Sequence, residues 1–155
     1  DTTGLWFFNS GPLAGASQPH RHIQLLRRDP SELSCPREKW ILDFDNVNYK
    51  NERFYKNIIL KKFSKTLNKE NIHEIYKDLS YKLGLGKPEI DKKPRYPYNL
   101  IFTNHWMLLI KRKTDNLHGI SVNALGFAGY ILVTEKSDIN YLKKIGPEKL
   151  LENFL

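Results

Sequence analysis

This sequence predicts an α+β domain, an antiparallel sheet with flanking helices. Three observations predict it. Short aromatic or aliphatic runs occur at 3–9, 98–103 and 106–111, each bounded by turn-forming residues. A period-two alternation runs through 20–26. Apolar residues at helical spacing occur in two places, Ile72, Ile75, Tyr76, Leu79 and Leu83, then Ile139, Leu142, Leu150, Leu151 and Phe154.

Taken in order, residues 3–9 read as a strand ending in the turn Asn9-Ser10-Gly11-Pro12. Residues 10–19 hold two glycines, two prolines and two serines, a loop that lets backbone approach a ligand closely. In 20–26, His20, His22 and Gln24 fall on one side and Arg21, Ile23 and Leu25 on the other, the signature of a second strand. Residues 28–39 are turn-rich, and 40–44 read as a short strand. The stretch 46–66 is polar and basic with weak periodicity, and no element is assigned to it. A helix is expected over about 70–84, stopped by Gly84 or Gly86. After the proline-rich connector 85–97, strands at 98–103 and 106–111 form a hairpin through Asn104-His105. Residues 119–133 are small and apolar. The start signal Ser137-Asp138 opens a helical tail over about 138–154, divided in two by Gly146-Pro147. Trp6, Trp40 and Trp106 are expected in the core or at its edges.

The 155 residues, 40% hydrophobic and 27% charged, suffice for one domain with its own core and exclude a disordered tail. No apolar run approaches the roughly 20 residues that span a bilayer, so no membrane partner is expected. Cys35 is the single cysteine, which excludes an internal disulfide framework and a Cys-rich zinc module and fits a reducing, cytoplasmic setting. Met107 is the only methionine, so Asp1 is not a translated start and the sequence is expected to be part of a longer chain. Net charge is +8, of which the stretch 50–93, with 12 basic and 6 acidic residues, carries +6. A basic balance attracts polyanions. Here lysines outnumber arginines 18 to 7 and no nucleic-acid module is present, so the stretch reads as a solvated face and nucleic acid is not expected as a partner.

The segment 9–24 carries the chemistry. Side chains at i, i+2 and i+4 of a strand project to one face, about 6–7 Å between successive members. The glycine- and serine-rich loop before them offers backbone N–H groups to phosphate oxygens. Imidazole beside such a loop is suited to attack phosphorus and hold it as a phosphoramidate, and a glutamine amide can donate to a phosphoryl oxygen without carrying charge. The same His-x-His pair also fits half of a metal site, or a half-exposed strand face. Against the metal stands the absence of a third ligand: Cys35 is isolated, and His73, His105 and His118 lie in unrelated sequence settings.

The run Asn9-Ser10-Gly11-Pro12, then Gly15-Ala16-Ser17-Gln18, then His20-Arg21-His22-Ile23-Gln24 resembles the active-site segment of diadenosine tetraphosphate phosphorylases, or ATP adenylyltransferases. These form the GalT/Apa branch of the histidine-triad superfamily, in which glutamine replaces the third histidine. Pro97-Tyr98-Asn99-Leu100, Trp106-Met107-Leu108-Leu109 and the run 119–129 are similar to the same family, while 40–70 carries little likeness. The resemblance implies a partial histidine-triad (HIT-like) fold. It also implies phosphorolysis of diadenosine tetraphosphate to ATP and ADP, and the reverse, through an adenylyl-histidine on His22. His20 would hold the site in shape and Gln24 would bind the α-phosphate. Asn9, Ser10, Gly15, Ala16, Ser17 and Gln18 match positions that contact nucleotide or phosphates, with Asn123 and Gly126 as further contacts. The implied partners are the adenine dinucleotide polyphosphate, ATP, ADP and phosphate. The cofactor would be a divalent cation, Mg2+, riding on the nucleotide, since no carboxylate cluster marks a protein-bound metal site. The cousin hexose-1-phosphate uridylyltransferases usually carry proline between the histidines, where this chain has Arg21.

Family chains are about twice this long, with the motif near the middle. The sequence is therefore expected to be a single, amino-terminally truncated domain: 1–28 active-site loop and strand, 40–93 basic linker and helix, 94–155 the family's carboxy-terminal segment. Earlier strands and an upstream lysine would be missing. An open sheet edge is then expected, leaving the piece unstable alone or associated with an amino-terminal segment or a second copy. Other readings are a catalytically incomplete nucleotide- or RNA-binding fragment and a uridylyltransferase-like enzyme.

Overall fold

A computed structural model describes residues 4–44, 52–64 and 69–155. Its elements are β1 (Leu5–Asn9), β2 (Gln24–Leu26), α1 (Glu38–Leu42), α2 (Glu52–Asn57), β3 (Ile58–Lys62), α3 (Lys69–Lys82), β4 (Tyr98–Phe102), β5 (Trp106–Lys111), β6 (Asn116–Leu117), β7 (Ile120–Ser121), α4 (Ala124–Phe127) and α5 (Ile139–Glu152). A five-stranded antiparallel sheet has the order β2-β1-β4-β5-β3, and β6 and β7 form a separate ribbon. The α+β class holds.

Helices cover both faces of the sheet, which explains why every residue of β4 is buried rather than every second one. One face packs Leu5, Phe7, Trp106, Leu108 and Ile110 against residues from α1, α2, α4 and α5. The other packs Phe8, Leu100, Phe102, Met107 and Leu109 against Leu79 of α3 and Leu83 just beyond it. Trp106 is wholly buried, while Trp6 and Trp40 lie partly buried at the margins of the two cores. No described helix is long and apolar enough to cross a membrane.

Three expectations need correction. Residues 40–44 belong to a helical turn, not a strand. The Glu38 carboxylate accepts from Ser34 N–H at 2.9 Å and Ser34 Oγ at 2.8 Å, closing the first turn, and also from the Trp106 indole at 3.3 Å. Second, 40–93 is not only linker and helix. It supplies β3, paired with β5 from Ile58 opposite Ile110 to Lys62 opposite Trp106. The mixed Ile-Ile-Leu-Lys-Lys pattern hides this strand because it lies at a sheet edge, where Lys61 stays exposed. Within 46–66, residues 46–51 and 65–66 lie outside the described residues. Third, regular pairing of 20–26 is confined to Gln24–Leu26, opposite Phe7, Trp6 and Leu5. His20 and His22 precede the strand, just after Pro19, which has no N–H to give a ladder.

The tail behaves as its punctuation predicts. The Asp138 carboxylate caps α5 by accepting from Tyr141 N–H at 2.8 Å, and Gly146, at φ +76°, interrupts the helix before Pro147.

Candidate active site

The site begins where β1 ends. Asn9 Oδ1 accepts from Asn99 Nδ2 on the neighbouring β4 at 2.7 Å and from Ala124 N–H, the first residue of α4, at 2.9 Å. Asn99 is fully buried, and its amide also donates to the Ala14 carbonyl at 2.8 Å. Its Oδ1 accepts from Arg112 Nη1. Arg112 is itself buried, and its Nη2 donates to the carbonyls of Thr114 at 2.7 Å and Val122 at 2.8 Å. The guanidinium lies between the rings of Phe127 and Phe154, 5.1 and 5.3 Å from their centroids. Burial lowers its pKa to about 10, partly opposed by the charge of Asp115. One buried cation thereby ties together β4, the end of β5, the loop after β1 and the start of α4.

The loop is held by fit as well as by hydrogen bonds. Gly15 has φ +80°, and a Cβ there would lie 2.7 Å from Asn123 Cβ and 2.9 Å from the Val122 carbonyl. Asn123 caps α4, its side chain accepting from Leu125 N–H at 2.9 Å. Ser10 bonds both ways to Tyr98, its N–H to the carbonyl at 3.0 Å and its Oγ accepting from the N–H at 2.8 Å. A Cβ on Gly126 would lie 2.6 Å from Val122 Cγ1, so this glycine serves close packing below the loop.

The histidine segment crosses the edge of the sheet beside this loop. His22 is half-buried, with its Nδ1 3.2 Å from the His20 carbonyl. A carbonyl only accepts, so Nδ1 carries the proton and Nε2 holds the lone pair. The Gln24 amide nitrogen stands 3.0 Å from that Nε2 and donates to it. The imidazoles of His20 and His22 face each other at a tilt, centroids 5.0 Å apart. This arrangement places the His22 ring, with the Gln24 amide beside it, at the edge of the neighbouring cleft.

That cleft, of about 450 Å³, is mostly apolar, with Phe8, Leu100, Phe102 and Tyr76 in its walls and His22 at its edge. His73 of α3 lines it too, so the fold brings together two histidines from unrelated sequence settings. A second cleft, about 480 Å³, contains Asn9, Ser10, Ala16, Gln18 and His20. Arg21 lines both. Gly15 and Asn123 line a third cleft, with Asn116, Ser121 and Tyr130. Ser17 is exposed on the loop, and Gly126 is buried. The predicted residues thus fall into two sets, one around the histidines and loop mouth, one behind the loop. Among the described residues no three His, Cys, Asp or Glu side chains converge to hold a metal ion. Asn99 and Arg112 escaped the sequence reading, although a polar residue inside Tyr-Asn-Leu-Ile-Phe and an arginine closing Leu-Leu-Ile-Lys-Arg both break apolar runs.

Comparison with known proteins covers nearly the whole chain. The family described as ATP adenylyltransferase C-terminal domain matches residues 36–154, including the basic middle where the sequence alone shows little likeness. The family described as Ap4A phosphorylase N-terminal domain matches residues 1–41. No curated protein matches. Among solved structures, yeast Ap4A phosphorylase Apa2 superposes with a TM-score of 0.61 at 16% identity over 97% of this chain and 54% of that one. The same yeast protein in complex with Ap4A gives 0.61 at 17% identity, over 97% of this chain and 52% of that one. Its complex with AMP gives 0.57 at 17%, over 90% of this chain and 51% of that one. This chain spans about half the length of the solved structures it matches.

Proposed function

This chain belongs to the ATP adenylyltransferase (Ap4A phosphorylase) family, and on that premise we propose that it carries the adenylyl-transfer centre of an enzyme that phosphorolyses diadenosine tetraphosphate. His22 Nε2 attacks the α-phosphorus, an N–P bond forms, the P–O bond to the β-phosphate bridge breaks, and ATP leaves. Orthophosphate oxygen then attacks the same phosphorus, the N–P bond breaks, and ADP leaves with His22 restored. Gln24 releases Nε2 as substrate enters and donates to an α-phosphoryl oxygen. The loop 10–18 offers N–H groups to the phosphates, and the apolar cleft takes the adenine. A divalent cation, Mg2+, would arrive with the polyphosphate to screen its charge. The cell's reducing cytoplasm is the proposed setting.

One observation carries this reading: His22 Nδ1 is engaged by the His20 carbonyl, so Nε2, held by the Gln24 amide until substrate takes that amide's place, is the ring nitrogen available to attack. Incubation with labelled diadenosine tetraphosphate and phosphate should yield ATP and ADP. With phosphate omitted, an acid-labile, base-stable AMP adduct should accumulate. A His22→Ala protein should give neither, and a protein that turns over normally after that change would overturn the assignment.

A further inference from the structure

We propose that the small cavity under the connector 85–97 is a phosphate-binding site, formed by Arg21, Ser10, Ser80, Lys92 and Lys93 on the flank of His22. The cavity holds about 150 Å³, some five water volumes, room for one phosphate group. Its charged lining is Arg21, Lys87, Asp91, Lys92 and Lys93. Two of these are already engaged. The Lys87 ammonium lies over the Tyr81 ring, 5.2 Å from its centroid. The Asp91 carboxylate accepts from the Lys87 backbone N–H at 2.6 Å and pairs with Arg95 at 3.7 Å. Among the described residues three cations, Arg21, Lys92 and Lys93, are left to face a ligand.

A second, independent observation points the same way. Ser80 is 2% exposed and lines the cavity, yet its Oγ has no hydrogen-bond partner among the described residues. A buried hydroxyl without a partner is costly, and a phosphate oxygen would satisfy it. Above it, the Tyr76 and Tyr98 hydroxyls bond each other at 2.7 Å. Burial and Tyr76 push the Tyr98 phenol upward, so it remains neutral, while the charge of Arg21 reaches it and pulls the other way.

Arg21 also lines the cleft that contains His22 and the one that contains Gln18 and His20. An anion in the cavity would therefore stand beside the transferred group. The identity of that anion rests on the adenylyl-transfer reading: it is the acceptor orthophosphate or a terminal phosphate of the nucleotide.

Calorimetric titrations of the protein with inorganic orthophosphate, AMP and ATP at low ionic strength test this, with wild type, Ser80→Ala and Lys92→Ala/Lys93→Ala. The double substitution should weaken orthophosphate about tenfold and Ser80→Ala a few-fold, with AMP unchanged, and in turnover the loss should fall on the KM for phosphate. Weaker ATP with unaltered orthophosphate assigns the same site to the nucleotide's terminal phosphates. Unchanged affinity for both anions in both variants would overturn the proposal. If wild type binds orthophosphate and the variants do not, but no ADP ever forms, the site stands and the adenylyl-transfer reading falls.

Discussion

Asn99 Nδ2 donates to Asn9 Oδ1 at 2.7 Å across the β1–β4 pair, and the same Asn99 side chain accepts from the buried guanidinium of Arg112. The link turns a core cation into a brace for the loop that follows β1. Among the described residues Arg112 is hydrogen-bonded to amide and carbonyl oxygens and to no carboxylate, so dipoles fixed in the sheet and loop stabilise its charge together with the nearby Asp115.

Asn99→Ala removes the acceptor for Arg112 and both donors to the loop. Leaving buried charged and polar groups unpaired should cost roughly 3 kcal/mol. Asn99→Asp keeps an acceptor for Arg112 but sets a carboxylate against Asn9 Oδ1 and the Ala14 carbonyl. It should be less destabilised than the alanine variant, yet show faster amide exchange at 14–16. Urea unfolding and hydrogen exchange check the two halves separately.

Gly15→Ala forces a side chain into Asn123 at a backbone angle that L-residues rarely adopt. We expect a loss of about 1–3 kcal/mol and weaker nucleotide binding, because loop and α4 must part to admit the methyl. Equal melting temperatures for wild type and variant would show that the loop is not held there.

Gln24→Ala removes the amide that stands 3.0 Å from His22 Nε2. Adenylyl transfer should slow by about 10²-fold, with little change in stability because Gln24 is exposed. Single-turnover measurement of AMP adduct formation reads this directly.

Burial raises the pKa of the Cys35 thiol to about 11 from an ordinary value of 9.0. The unfolded thiol thus loses its proton first as pH rises. The folded state binds the extra proton between pH 9 and 11, so this contribution is complete below pH 9 and is lost through that window. The two-unit shift corresponds to about 3 kcal/mol. Wild type should lose that much stability from pH 8 to pH 11 relative to Cys35→Ala, measured by denaturant titration. At pH 8 the folded thiol should resist a disulfide reagent that modifies it on unfolding.

The sheet's centre was legible because β4 and β5 are apolar, bounded by turns and close in sequence. The family likeness of the histidine segment was legible because Asn9 to Gln24 form one compact motif around a glycine-rich loop, within the stretch that the Ap4A phosphorylase N-terminal family matches. β3 was not, since an edge strand has only one partner and its lysines blur the pattern. The helical turn of α1 was not, because it depends on Glu38 bonding to Ser34 and to Trp106 far along the chain.

The sequence by itself determined the α+β class, the hairpin, the kinked tail and the segment that carries His22. Only the tertiary structure decided what surrounds that segment. Pairing β1 with β4 put Asn9 against Asn99, 90 positions along the chain, and the Asn99 side chain in turn holds Arg112. Folding α3 across the sheet brought His73, Tyr76 and Ser80 to the clefts beside the histidines. Local patterns record which face a residue turns to. Which residues meet there depends on long-range strand register and helix packing, and neither is written in any short window of sequence.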